Sequence, residues 1–189
     1  MLGIGALRQE LWHFPPSLGI IFTMSQSLWN FSLAAYANKA VQDECLALQD
    51  EFGLDVNLIL LCSYLGAVHG VTLTAEETTS ARDVVRQWHD DIVRPLRVAR
   101  RSLKPIERQD AQRLRAQVKA AELESERIEQ TILQQWADAR LAQWRRGEAR
   151  AAVPTNLQAL LAASGIERLT AETAMPHIIA GALGAAQPR

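Results

Sequence analysis

Fifteen consecutive residues, "VNLILLCSYLGAVHG" at positions 56–70, constrain this chain more than any other stretch. Asp55 stands before them, a residue whose carboxylate accepts the free amide hydrogens of a helix start. Gly70 ends them with the backbone freedom that a left-handed helix stop requires. Between these signals the residues are apolar all round, so the helix has no natural solvent face. A membrane span needs about 18 to 20 such residues, and no uninterrupted apolar run in the chain is that long. The helix must therefore be wrapped by others, and it predicts the centre of the fold. With 189 residues the chain can bury such a centre in one domain without disulfides or a metal.

The flanking segments supply the wrapping. Ser27 caps a first helix with Trp29, Leu33 and Tyr36 on one face and Leu28, Phe31 and Ala35 on another. A second helix over about 39–52 carries Val41, Cys45, Leu48 and Phe52 as a stripe and stops at Gly53. "TAEE" at 74–77 forms a capping box for a fourth helix through Trp88, which Pro95 must kink or restart. A long helical pattern over roughly 110–146 contains neither proline nor glycine. At full length it would run about 55 Å, so it must bend, break or project from the core. Its 3,4-spaced seam is Leu114, Val118, Ala121, Ser125, Ile128, Ile132, Gln135 and Ala139. The seam is too weak for an independent coiled coil and suits intramolecular packing or pairing with a second subunit.

No strand-period segment and no repeat is present, so the class is all-α: a single-domain, irregular helical bundle with one long helix. Residues 1–23 differ in character from the rest of the chain, and "MSQSLWNF" opens directly into a capped helix. They are expected to be an upstream-start extension or a disordered segment, with Met24 as the natural initiator. Residues 24–146 form the helical domain. Residues 147–189 turn alanine-rich, with two short helices over "TNLQALLAASG" and "AMPHIIAGALG" and a frayed end.

Lys plus Arg number 20 and Asp plus Glu 21, so electrostatic function must come from local clustering. The sharpest cluster is "RPLRVARRSLK", with Arg94, Arg97, Arg100, Arg101 and Lys104 opposite an apolar arc of Ile92, Leu96, Ala99 and Leu103. It offers a site for an anionic ligand, a protein partner or nucleic acid. The alternative is internal pairing with Glu122, Glu124, Glu126 and Glu129 of "ELESERIEQ". Interleaved aromatic residues, which would stack on single-stranded nucleic acid, are missing.

The polar residues around the second turn invite comparison with a metal or acid–base centre. Asp43 and Asp50 fall opposite the apolar stripe, and Asp55 is accounted for as a cap. Gln49, Asp55 and Asn57 instead suit a structural polar joint between the second and third helices. In "WHDD", His89 and Asp90 point about 100° apart and cannot serve one another, while His69 sits at a helix C-terminus, where the dipole favours it. No residue set specifies a catalytic, metal or cofactor site. Cys45 and Cys62 lie on apolar faces without CxxC spacing and read as reduced thiols of a cytoplasmic protein.

"LWNFSLAAYANKAVQDECLALQDEFGLDVNLILL", followed by "PLRVARRSLK" and "AELESERIEQTIL", resembles an uncharacterised, mainly proteobacterial family of unknown function. Its pattern is LWxFSLxxY…CLxLQDxxGxDVNxLL, then PLRxxRRxLK, then AELExE. The chain departs from it at Ala40, where the family has glycine, and at Tyr64, where tryptophan is usual. The resemblance implies no reaction. The first functional expectation is a non-enzymatic interaction or adaptor protein that self-associates through the long helix. The second is a binder of an anionic ligand or nucleic acid through residues 94–104. An enzyme or metal protein centred on residues 42–57 comes last.

Overall fold

The computed structural model describes residues 26–186, and the expected N-terminal extension over 1–23 lies outside them. The described chain is all-α. Its helices are α1 (Leu28–Tyr36), α2 (Lys39–Phe52), α3 (Val56–His69), α4 (Ala75–Trp88), a π-helical turn (His89–Val93), α5 (Arg94–Ser102), α6 (Gln109–Asp138), α7 (Ala149–Ala163), α8 (Ala171–Ala174) and α9 (Pro176–Ala185). Among the described residues the only β feature is an isolated bridge between Val71 and Arg146.

The local signals act as their chemistry requires. The Asn30 amide donates to Ser27 Oγ at 3.2 Å and the Asn57 amide to Asp55 Oδ1 at 2.8 Å. Gly53 and Gly70 end α2 and α3 at φ 68° and 63°. Thr74 and Glu77 form both bonds of the capping box, at 3.1 and 2.7 Å. As its uniform apolarity demands, α3 is buried continuously from Asn57 to Gly66.

The centre is broader than the first three helices. α3 packs most extensively against α7, whose Val153, Leu157, Leu160 and Leu161 belong to the same core as Phe31, Leu61 and Tyr64. Gly66 permits this crossing, because a Cβ there would lie 2.8 Å from the Val153 nitrogen. Asn156 fastens it: Nδ2 donates to the Cys62 and Val71 carbonyls at 3.0 and 2.8 Å, and Oδ1 accepts from the Leu73 amide at 2.7 Å. α7 begins five residues before Pro154 and carries it inside the helix. Near a helix start a proline removes only one intrahelical donor, so the helix persists. α9 starts at Pro176 as its sequence predicts, and Glu44 of α2 caps it by accepting from the Ile178 amide at 2.7 Å.

Two expectations about the second half change. The long helix covers 30 residues and stops at Asp138, a length of about 45 Å at 1.5 Å per residue. Its buried face is Glu122, Ser125, Glu129, Gln130, Leu133, Trp136 and Ala137. Of the eight seam positions only Ser125 is on that face, while Leu114 and Ile128 are exposed. The apolar spacing selected the wrong phase because the true inner face carries acids and amides.

Pro95 does not stop the helix; it stands in the first turn of α5, where the helix resumes α geometry after the π turn. α4, the π turn and α5 are continuous, and the Arg94 amide reaches back five residues to the His89 carbonyl. The wider turn accommodates a ring that would collide with the carbonyl four residues earlier in an α-helix. It also advances the phase by one residue. Val93 is consequently buried, Ile92 is exposed, and Arg97 and Arg100 turn toward α6.

Candidate functional site

The rephasing of α5 creates a polar seam where a bundle would ordinarily place aliphatic side chains. Arg97 Nη2 donates to Glu126 Oε1 at 2.8 Å and Arg97 Nε to Glu122 Oε1 at 3.4 Å. Arg100 donates to both oxygens of Glu122, Nη2 reaching Oε1 at 3.1 Å. The internal pairing weighed from sequence is thus present for Glu122 and Glu126. Glu124 instead stands 3.9 Å from Arg127, and Glu129 faces His89.

Behind these pairs lies a directional hydrogen-bond chain. Ser32 Oγ donates to Gln130 Oε1 at 3.1 Å, Gln130 Nε2 to Asn57 Oδ1 at 2.9 Å, and Asn57 Nδ2 to Glu129 Oε2 at 2.5 Å. The remaining Glu129 oxygen, Oε1, meets His89 Nδ1 at 2.9 Å, and Asp55 Oδ2 lies 3.2 Å from the same nitrogen. Nδ1 is therefore the protonated ring nitrogen, addressed by two carboxylates. Asn57 restrains both acids, its backbone amide holding Asp55 and its side chain holding Glu129. Glu129 is fully buried, and Asp55 and His89 are nearly so.

The electrostatics follow from the crowding. Burial and the Glu129 charge push Asp55 up to about 7, against the opposing pull of His89. Burial alone would lower His89, but its hydrogen bond to Glu129 and the two nearby acids raise it above the ordinary imidazole value. Glu126 is also raised, chiefly by burial, with Arg97 opposing. Among the described residues Asp55, His89 and Glu129 each present one donor atom, all within 4.8 Å of one another, a set that could hold a metal ion.

His89 and Asp55 line a groove of about 560 Å³ between the end of α2, α4, α5 and the end of α7. Leu54, Leu58, Val85 and Leu160 contribute apolar surface, and Arg82, Arg86, Arg94, Arg97 and Arg101 contribute cations. Two arginines are poised by exposed acids: Arg94 by Asp90 at 3.0 Å and Arg101 by Asp50 at 2.7 Å. Arg82 is fixed by donation to the Ala163 carbonyl at 3.0 Å.

The basic set singled out in the sequence therefore divides. Arg94, Arg97 and Arg101 border the groove, Arg100 is committed to Glu122, and Lys104 is exposed outside the lining. Within the polar joint, Asp55 and Asn57 meet the hydrogen-bond chain, while Gln49 stands at the groove edge. Sequence reasoning missed His89, Glu129 and Gln130. It correctly separated His89 from Asp90 but could not place it beside acids 34 and 40 positions away. Asn57 carried the available signal: a buried amide on an otherwise apolar helix requires partners.

His69, at the end of α3, pairs with the Tyr64 hydroxyl at 3.0 Å, and burial lowers its pKa. No described helix is long and apolar enough to cross a membrane. Neither the curated proteins nor the solved structures contain a match. A family model described as "Protein of unknown function (DUF2390)" matches residues 27–133, the stretch that contributes Asp55, Asn57, His89, Arg97, Glu122 and Glu129. With more than half of the sequence inside that match, the chain belongs to the DUF2390 family of proteins of unknown function.

Proposed function

We propose that the protein binds a small anionic molecule bearing a phosphate or carboxylate in the groove between the continuous α4–α5 helix and the ends of α2 and α7. One observation carries this reading: five arginines from the α4–α5 helix border the cavity against three aspartates, Asp50, Asp55 and Asp90. Exposed ion pairs contribute about 0–1 kcal/mol, so a ligand anion can replace Asp50 or Asp90 on Arg101 or Arg94 at small cost. The volume of about 560 Å³ falls within the usual range for small-molecule sites. Phe52, the aromatic residue of the lining, already has the Arg168 guanidinium 5.4 Å from its ring centre, which weighs against base stacking.

Calorimetric titration with pyrophosphate and with citrate tests the proposal. Saturable binding that weakens with salt and falls at least tenfold in the Arg94→Glu/Arg101→Glu variant supports it. No heat at millimolar probe, or equal binding by the variant, overturns it. Binding confined to long polyanions would point to nucleic acid instead.

A second reading, helix-mediated self-association, rests on the first part of α6. That helix buries no residue before Glu122, and Val98, Ile106 and Leu114 are exposed nearby in the sequence. This surface suits the interaction or adaptor role expected from sequence. Light scattering at high micromolar concentration tests it: a dimer dispersed by Leu114→Asp supports the reading, and a monomer ends it. The two buried, free thiols suit a reducing cytoplasmic setting for either role.

A further inference from the structure

We infer that Asp55, His89 and Glu129 form a binding site for one divalent first-row transition-metal ion at the floor of the groove. Ligand bonds of about 2.0–2.2 Å place neighbouring donor atoms roughly 3 Å apart. His89 Nδ1 already stands 2.9 Å from Glu129 Oε1 and 3.2 Å from Asp55 Oδ2. The inward oxygen of each acid faces the imidazole, and the outward oxygen of each is held by Asn57. Such outer bonds orient the ligands of metal centres and fix which atoms coordinate.

Charge gives an independent reason. The buried seam joins four carboxylates, Asp55, Glu122, Glu126 and Glu129, to two guanidiniums, Arg97 and Arg100. With all four acids ionised, a protonated His89 leaves this group one positive charge short, and a neutral His89 leaves it two short. A divalent ion with neutral imidazole closes the deficit, taking the place of the proton on Nδ1, which leaves to solvent. One nitrogen and two carboxylate oxygens suit manganese, iron or zinc rather than a soft ion. Because His89 and Asp55 also line the groove, solvent on that side can supply further ligands. The site is independent of the proposed anion binding, since the arginine rim contributes none of its donors.

Full-length protein stripped with a chelator should be titrated separately with Mn²⁺ and Zn²⁺, followed by calorimetry and by pulsed electron paramagnetic resonance of the Mn²⁺ form. One ion per chain, with a nitrogen coupling that changes on ¹⁵N-histidine labelling, is the expected result. Asp55→Asn preserves the helix cap while removing one anionic ligand, and it should weaken binding at least 100-fold with the metal-free melting temperature retained. Asn57→Ala should weaken binding about 10- to 100-fold through the released Glu129 carboxylate, while the backbone amide that holds Asp55 is kept. The Arg94→Glu/Arg101→Glu variant should still take up metal, separating this inference from failure of the anion-binding reading. Absence of stoichiometric uptake, absence of the histidine coupling, or wild-type affinity in Asp55→Asn would overturn the assignment.

Discussion

The α3–α7 crossing and the α5–α6 seam solve the same packing problem with opposite chemistry. At the first, Leu61, Leu65, Leu157 and Leu161 are buried around Gly66, and each derives stability from leaving water. At the second, Arg97 and Arg100 meet Glu122 and Glu126, and the charges must recover their own desolvation through mutual contact. The apolar crossing tolerates imprecision in identity but not in volume. The ionic seam tolerates changes in volume but not the loss of one member. Conformation is thereby set by packing at one contact and by opposed charge at the other.

The largest expected effect lies in the apolar core around α3, where α1 packs on it. Phe31→Ala removes a fully buried ring stacked edge-on with Tyr64 at 5.6 Å and should cost about 3–5 kcal/mol in urea unfolding. A clean two-state transition with less than half of that loss would show an unexpectedly collapsible core. Next comes the seam: Arg97→Met should cost about 3 kcal/mol, because Glu126 loses its short-range cation while remaining largely buried. Arg97→Met/Glu126→Met should recover most of this loss, since well-packed apolar replacement of a buried pair is often neutral. If the double variant is no more stable than the single, the cost of Arg97→Met does not come from a stranded Glu126 charge.

Gly66→Ala offers a narrower test of the crossing. Its new methyl would press on Val153 main-chain atoms at 2.8–2.9 Å, an overpacking cost of about 1–3 kcal/mol. The same substitution at Gly184, where nothing lies within 4 Å, should leave stability unchanged or slightly improved.

The smallest effect concerns pH. Burial pushes the thiols of Cys45 and Cys62 up to about 12, so both remain protonated where an unfolded cysteine ionises. Their contribution to stability is complete below about pH 8.5 and declines as pH rises toward 12. Alkylation at pH 8 should be slow in native protein and rapid in denaturant. Fast modification of either thiol in the native state would contradict the burial assigned to it.

Legibility from sequence followed this division. The caps at Ser27, Asp55 and Thr74 and the stops at Gly53 and Gly70 were readable because each acts within a few residues. The uniform apolarity of α3 announced the core because burial has no alternative for such a helix. The phase of α6 was not readable. Its inner face carries Glu122, Glu129 and Gln130, residues that become sensible only once Arg97, His89 and Asn57 are known to oppose them. α5 added a second obstacle, since constant helical spacing across residues 89–93 assigns its arginines to the wrong side. The candidate site was therefore half visible: Asp55 and Asn57 were selected on their own merits, and His89 and Glu129 awaited the tertiary fold.

The π turn has a genetic consequence. Removing one residue between His89 and Val93 would give an uninterrupted α-helical spacing, a change that local helix propensity would welcome. The arm downstream would keep its facing, because the residue that now stands five positions after His89 would stand four after it, in the same place, with Arg97 still toward Glu126 and Arg94 and Arg101 still at the groove. Closing the wide turn to plain α-helix at unchanged length is the harsher change, since it would rotate the whole arm by about 100°. Length and turn geometry must therefore be inherited together: either can change only if the other changes with it.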